Sequence, residues 1–340
     1  MSNAMSNTRP VAPAPRIDLR SESAAAIVVF AVLALLPLMM GGYVIYVLPQ
    51  YLIYGVLAMS LGMLWGYAGI LSFGQAAFFA LGAYAMGLAM KAGFGASDGY
   101  LGLLAAIIIG AGLAFLVGYF LFSAGVRDIY FVLITLALSI MVQQIAISQS
   151  SLTGGFNGMY IPRMELALGP FGSVSLAHDR AIYYLVLPVT IAIYAGLRRL
   201  TRSDFGKVLV GIRENEGRTL SLGFETSWYK TIAFTISGAV ACFAGALYGA
   251  HAEFVSPSLA SVAFSTEVVI WVAIGGRQSL LGALLGGLGV AALSNYLDGL
   301  SPVFWQLILG GIFVAVIIAF KGGIAGALGR LVARKDGAHG

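Results

Sequence analysis

The chain has 340 residues, 59% of them apolar and only 10% charged, with a mean hydropathy of +0.92. Soluble domains carry about 25% charged residues, so the composition excludes a soluble domain and predicts an all-α polytopic integral membrane protein. The net charge of +5 fits basic loops on the cytoplasmic side of a bilayer better than nucleic-acid binding. The single cysteine, Cys242, lies in an apolar run, which leaves no disulfide framework or cysteine metal cluster.

In chain order, residues 1–4 read as a fusion scar before Met5 and are set aside. Residues 5–23 form a polar leader bearing Arg9, Arg16 and Arg20. A bilayer span takes about 20 apolar residues, and runs of that order recur at 24–47, 51–67, 76–90, 100–122, 129–148, 181–197, 231–250, 264–275, 279–297 and 303–320. These make about ten spans, some short or broken, in a single membrane domain over 24–328, followed by a tail at 329–340. Pro37 reads as a kink, Pro49 as the boundary before the second span, and Gly66–Gln75 as a glycine-rich break before the third.

With both termini cytoplasmic, 16 of the 19 Lys and Arg residues fall inside and only Lys91, Arg163 and Arg180 outside, as the positive-inside rule demands. The 264–275 run is the weakest span: 12 residues reach only about 18 Å, so 251–275 reads equally as a re-entrant helix lining a cavity.

Two loops stand out. The inner stretch 198–230 holds 11 of the chain's 33 charged residues. Within it Phe205, Val208, Leu209 and Ile212 fall at i, i+3, i+4 and i+7, one apolar stripe of a short helix. Such a helix can lay its stripe into a groove on a soluble partner or lie flat on the membrane; periodicity alone leaves both open. The outer loop 149–180 is rich in glycine and proline and has room for short surface helices.

Catalytic constellations are missing: no HExxH, no nucleophile elbow, no G-x-x-x-x-G-K-[ST] phosphate loop. His178, His251 and His339 are too scattered to suggest a metal site. Polar residues within apolar runs are costly unless they face protein or water, which singles out Ser72 and Gln75 in the glycine-rich break, Gln143 and Gln144 about 100° apart on one helix, and Glu267. A plain loop at Ser72, or a neutral, hydrogen-bonded glutamate at 267, is the structural alternative. His251 and Glu253 are expected at the outer rim. Thr153, Gly154, Gly155 and Asn157 form an outer turn, read as a structural loop or a protein contact.

Three stretches carry a family resemblance: GYAGILSFGQAAFFALGAYAMG at 66–87, LTGGFNGM at 152–159, and RENEGRTLSLGF at 213–224, followed by a block ending IGGRQSLLGALLGG. They resemble, in order, the permease subunits of ATP-binding-cassette importers for branched-chain amino acids and related amides, within these the LivM type. The resemblance implies a non-enzymatic subunit of the bacterial inner membrane, with no cofactor of its own. ATP and Mg would be bound by two partner ATPases, beside a second, LivH-type permease and a periplasmic binding protein. It also implies that 205–224 holds the helix that couples to the ATPase. Phe205, Val208, Leu209, Ile212, Arg213, Glu214, Asn215, Glu216, Arg218 and Gly223 are then the coupling residues. The translocation pathway would draw on Ser72, Gln75, Gln143, Gln144 and Glu267, and the binding protein on 153–157. The family's E-A-A-x-x-x-G pattern survives here only as the glycine, Gly223, suited to positive φ after a helix. Branched-chain amino acids are the expected cargo, urea or short amides the alternative. A stand-alone secondary transporter or channel would require paired intramembrane charges for ion coupling, and these are sparse.

Overall fold

The computed structural model describes residues 19–39, 41–93, 98–126, 128–162, 165–167, 173–175, 179–300 and 310–311. The chain is helical through almost all of these. Five helices come first: α1 (Leu19–Met39), α2 (Tyr43–Ala68), α3 (Gln75–Ala92), α4 (Asp98–Ser123) and α5 (Asp128–Ser148). The one-turn α6 (Ser150–Thr153), α7 (Asp179–Arg202), α8 (Asp204–Glu214) and α9 (Glu216–Ser221) follow, then α10 (Thr226–Ala252), α11 (Val262–Gly275) and α12 (Leu280–Leu300). Seven of the described helices are long and apolar enough to cross a membrane: α1, α2, α4, α5, α7, α10 and α12. Outward side chains on α4 such as Ile108 and Phe120 are more than 60% exposed, as a lipid-facing surface requires.

The spans differ from the sequence expectation in three places. The 24–47 run is not one helix: it stops at Met39, and Gly42 at φ +64 restarts the chain as α2. Glycine takes this backbone without the Cβ clash that other residues meet. Pro49 consequently lies inside α2 instead of before it. The 264–275 run is a 14-residue helix of about 21 Å, too short to span, entered through strand β4 (Phe254–Val255) and a 3₁₀ turn at Pro257–Ala260. The last expected span, 303–320, lies outside the described residues apart from 310–311.

α10, 27 residues long, lies against α2, α3 and α4. Its approach to α3 is set by glycines on both sides: a Cβ on Gly82 would meet the Cys242 carbonyl, and one on Gly245 the Phe79 carbonyl. Small residues let backbones touch where lipid supplies no hydrophobic drive. Cys242 is thus buried in a helix crossing.

The outer loop adds a little β-structure that the sequence did not announce. β1 (Met159–Tyr160) pairs antiparallel with β4, Met159 opposite Val255, and β2 (Glu165–Ala167) pairs with β3 (Ser173–Ser175). α8 and α9 sit at the end of the bundle where α10 begins, and the β1–β4 pair at the end where α10 stops.

Candidate functional site

The glycine-rich break is a true discontinuity. α2 ends at Ala68 with Gly69 in the left-handed conformation, φ +74. The chain then runs non-helically back into the bundle and restarts at Gln75. Gln75 reaches the level of Ser60, about two turns above the end of α2. Its side chain is fully buried and hydrogen-bonded at both ends: Ser60 Oγ donates to Oε1 at 3.2 Å, and Nε2 donates to Ser237 Oγ at 2.8 Å. Ser237 donates in turn to the Ser60 carbonyl at 2.8 Å. One glutamine therefore joins α2, α3 and α10.

The irregular backbone is satisfied by side chains of α5. Phe73 N donates to Thr135 Oγ1 at 3.2 Å, and Ser139 Oγ donates to the Phe73 carbonyl at 2.9 Å. Ser72 is fully buried and accepts from Gly74 N at 3.1 Å. Non-helical backbone at membrane depth is tolerated on such terms. Ser60, Thr135, Ser139 and Ser237 were missed in the sequence; the only signal was a hydroxyl in an apolar run. Gln143 is half-buried and Gln144 exposed on α5, and Glu267 is half-buried on α11. No hydrogen bond joins these three to Ser72 or Gln75 among the described residues.

At the α8–α9 end the charged stretch is mostly helical. α7 runs on to Arg202, whose guanidinium lies 3.5 Å from Glu22 of α1. Asn215 separates α8 from α9 and caps α9, its Oδ1 accepting from Arg218 N at 2.9 Å. Such a cap satisfies one of the free N–H groups of a helix start. Lys207 pairs with Asp204 one turn back at 2.8 Å and holds that exposed carboxyl below its usual range. Both are in water, so the pair adds little to stability.

Two further ionic ties turn inward. The Arg213 guanidinium donates to the Gly66 carbonyl and pairs with Glu214 at 2.6 Å. Lys230, on the first turns of α10, pairs with Glu216 at 2.6 Å, and Thr226 donates to the same carboxylate oxygen at 3.0 Å. A cleft of about 430 Å³ connects these ties to the break, with Gly69, Ile70 and Leu71 on one wall and Arg213, Glu216 and Lys230 on the other.

Of the apolar stripe, Leu209 and Ile212 are buried at 0% and 4% exposure, and Phe205 and Val208 are half-buried against the same core. Phe205 stacks on Tyr229 with ring centroids 5.4 Å apart. The chain's own helices thus cover the Leu209 and Ile212 part of the stripe. The exposed apolar side chains at this end include Leu220, Leu222 and Phe224, at 47%, 72% and 38%, and Trp228 at 45%. The first three follow Arg218 around the turn at Gly223, which takes φ +89.

At the other end Thr153 organises the turn. Its Oγ1 donates to the carbonyls of Ala146 at 2.6 Å and Gln149 at 2.8 Å and accepts from Gly155 N at 3.2 Å. Gly154 and Gly155 both have positive φ, and Asn157, at the end of the 3₁₀ turn Gly155–Asn157, is exposed. The motif holds Phe156 and Tyr160 at 82% and 80% exposure.

Comparison with known proteins identifies the family. Residues 43–317 match the family described as branched-chain amino acid transport system / permease component. The high-affinity branched-chain amino acid transport system permease protein LivM of Salmonella typhimurium is 30% identical over 78% of this chain and 66% of its own length. The probable branched-chain amino acid transport permease protein LivM of Methanocaldococcus jannaschii is 26% identical over 79% of this chain and 89% of its own. More distantly, the autoinducer 2 import system permease protein LsrC of Escherichia coli is 24% identical over 52% of this chain and 53% of its own. The chain spans just under two thirds of the Salmonella relative's length. No solved structure matches it significantly.

Proposed function

Since the chain belongs to the branched-chain amino acid transport permease family, we propose that it is the LivM-type permease subunit of an importer that moves branched-chain amino acids into the cytoplasm. The observation that carries this reading is the family match over 43–317. In this proposal the protein sits in a bacterial inner membrane with its N-terminus and the α8–α9 end inside, beside a LivH-type permease. Two ATPases bind ATP and Mg in its stead, and a periplasmic binding protein delivers cargo to the outer turn at 153–157.

The knuckle formed by α8 and α9 is the docking edge for an ATPase. Arg218, Leu220, Leu222 and Phe224 would make the contact, and Arg213, Asn215 and Glu216 would hold the knuckle's shape. The stripe Phe205, Val208, Leu209 and Ile212 serves as its root in the bundle. ATP-driven closure must bind one state of the permease better than the other to move anything. The cleft between Arg213 and Gly69 lies where such a difference would be felt. The break at Ser72 and Gln75, with Gln143, Gln144 and Glu267, supplies the polar groups of the pathway, as expected of discontinuous helices in transporters.

The likeness to LsrC, an autoinducer 2 import permease, supports a second reading in which the cargo is not a branched-chain amino acid; urea or a short amide is that alternative. The test is reconstitution in proteoliposomes with the two ATPases and the binding protein. ATP-dependent leucine uptake that disappears when the ATPases are omitted is the expected result. Gradient-driven uptake by the chain alone would instead establish a secondary transporter.

A further inference from the structure

Five aromatic rings and one carboxylate meet in the middle of the bundle. Phe264, Glu267 and Trp271 fall at i, i+3 and i+7 of α11, hence on one face of it. Tyr54 of α2 packs on that face, with ring centroids 5.8 Å from Phe264 and 5.0 Å from Trp271. Glu267 lies between these two positions on the same face of α11 and is half-buried. Tyr248 of α10 stacks on Tyr54 at 5.8 Å and 17°, and Phe79 of α3 closes the group 5.3 Å from Tyr248. Phe79 and Trp271 are buried, whereas Tyr54, Tyr248, Phe264 and Glu267 keep partial exposure. The group is thus a partly exposed aromatic cluster with a carboxylate on the same face of α11. Tyr54 stands about 16 Å into α2 at 1.5 Å per residue, near the middle of that 26-residue helix.

We propose that this cluster binds the primary ammonium group of an amino-acid zwitterion, with Glu267 as its counter-ion and the rings of Tyr54 and Tyr248 beside it. The proposal rests on the permease reading and names the part of the cargo that this chain recognises. A carboxylate at such depth is costly unless it meets a cation, and no Lys or Arg pairs with Glu267 among the described residues. Aromatic faces attract ammonium groups through their quadrupole. Trp271 adds a donor: its Nε1 is buried and has no acceptor among the described residues. Leaving such a group unsatisfied is unfavourable, and a carboxylate on the same ligand would satisfy it. A neutral urea or amide offers no cation to Glu267.

The test measures binding to the purified full chain in lipid nanodiscs, using radiolabelled leucine with 3-methylbutylamine and isocaproamide as competitors. Leucine is expected to bind, the charged amine to compete, and the neutral amide to compete at least tenfold less well. Glu267→Gln should weaken leucine binding tenfold or more and abolish the preference for the amine over the amide. Should Glu267→Gln fail to fold, Tyr248→Leu keeps the carboxylate and removes an aromatic face, and it should weaken the amine selectively. No leucine binding, equal competition by amine and amide, or an unchanged preference in the folded variants overturns the proposal. Stimulation of the partner ATPases is scored separately. If stimulation persists while the preference is absent, the site is wrong and the permease reading stands. A Glu267-dependent preference without stimulation leaves the site and removes the permease reading.

Discussion

The Arg213 guanidinium donates to the carbonyl of Gly66, 147 positions earlier in the chain. Gly66 is in the last turn of α2, where carbonyls lack helical partners and a cation is favoured. The Arg213 stem also lies where a Cβ on Gly69 would be, so the side chain fills the corner at which α2 stops. On the other side the Arg277 backbone abuts Gly66, and its guanidinium lies 5.8 Å from the Trp65 ring centre. The end of α2 is held between α8 and the α11–α12 turn, directly before the break.

Removing this tie should affect both stability and coupling. Arg213→Ala loses a charge-assisted bond worth about 1.5–3 kcal/mol, read as a lowered melting midpoint in detergent. Arg213→Glu should additionally reduce ATP-driven uptake more than tenfold while the partner ATPases still hydrolyse ATP. Normal uptake by folded Arg213→Glu protein would show that the knuckle does not act through α2.

The Glu216–Lys230 pair makes a separate prediction. With side-chain exposures of 26% and 11%, it lies between surface pairs worth about 0–1 kcal/mol and buried pairs whose rupture costs about 3–5 kcal/mol. Lys230→Met should therefore cost about 2 kcal/mol by removing the ammonium 2.6 Å from Glu216. The double variant Lys230→Met with Glu216→Gln should recover most of that. Thermal denaturation of the four proteins gives the coupling directly, and additive losses would mean that the pair contributes nothing.

Gln75→Leu removes the donor to Ser237 Oγ and one of two acceptors beside Ser60 Oγ, which keeps the Leu57 carbonyl at 2.7 Å, in a fully buried setting. The expected cost is about 1–3 kcal/mol. Gln75→Glu keeps the shape but exchanges the donor for a buried charge and should be worse. Equal melting of wild type and Gln75→Leu would remove the glutamine from its place as the joint of three helices.

The sequence announced the Gln75 joint but not its partners. A glutamine in an apolar run signals that something polar lies opposite; Ser237 lies 162 positions away, and local pattern carries no such distance. The stripe Phe205–Ile212 shows the same limit. Period 3.6 reveals that a face is apolar, not whether a partner or the chain's own helices cover it. The break at Gly66–Gln75 was better marked, because its Gly69 supplies a backbone conformation that other residues resist, whereas the one at Gly42 stayed hidden inside the 24–47 run. Length was legible at α11: its apolar run is short in the sequence, and the helix stops at 14 residues. The aromatic cluster around Glu267 was invisible because its rings come from four helices.

Glycines at the α3–α10 crossing should tolerate no side chain. Gly82→Ala drives a Cβ into the Cys242 backbone, and overpacking of this kind costs about 1–3 kcal/mol or more. Gly196, within α7, meets nothing within 4 Å. Gly196→Ala should therefore be neutral or stabilising by up to about 1 kcal/mol. Yield and melting midpoint of the two variants separate crossing glycines from incidental ones.

The knuckle predicts a division between root and edge. Leu209 is fully buried, so Leu209→Ala should cost about 2–5 kcal/mol and lower the melting midpoint whether or not ATPases are present. Leu222 is 72% exposed, and Leu222→Ser should leave the melting midpoint of the isolated chain unchanged. If Leu220, Leu222 and Phe224 form the docking edge, Leu222→Ser should weaken co-purification of the ATPases and reduce their stimulation at least fivefold. The measurement is ATPase activity in nanodiscs against ATPase concentration, which separates weaker docking from slower turnover. Unchanged stimulation in Leu222→Ser together with Phe224→Ser would move the docking site off this edge, to the charged side of α8 that carries Lys207 and Glu214.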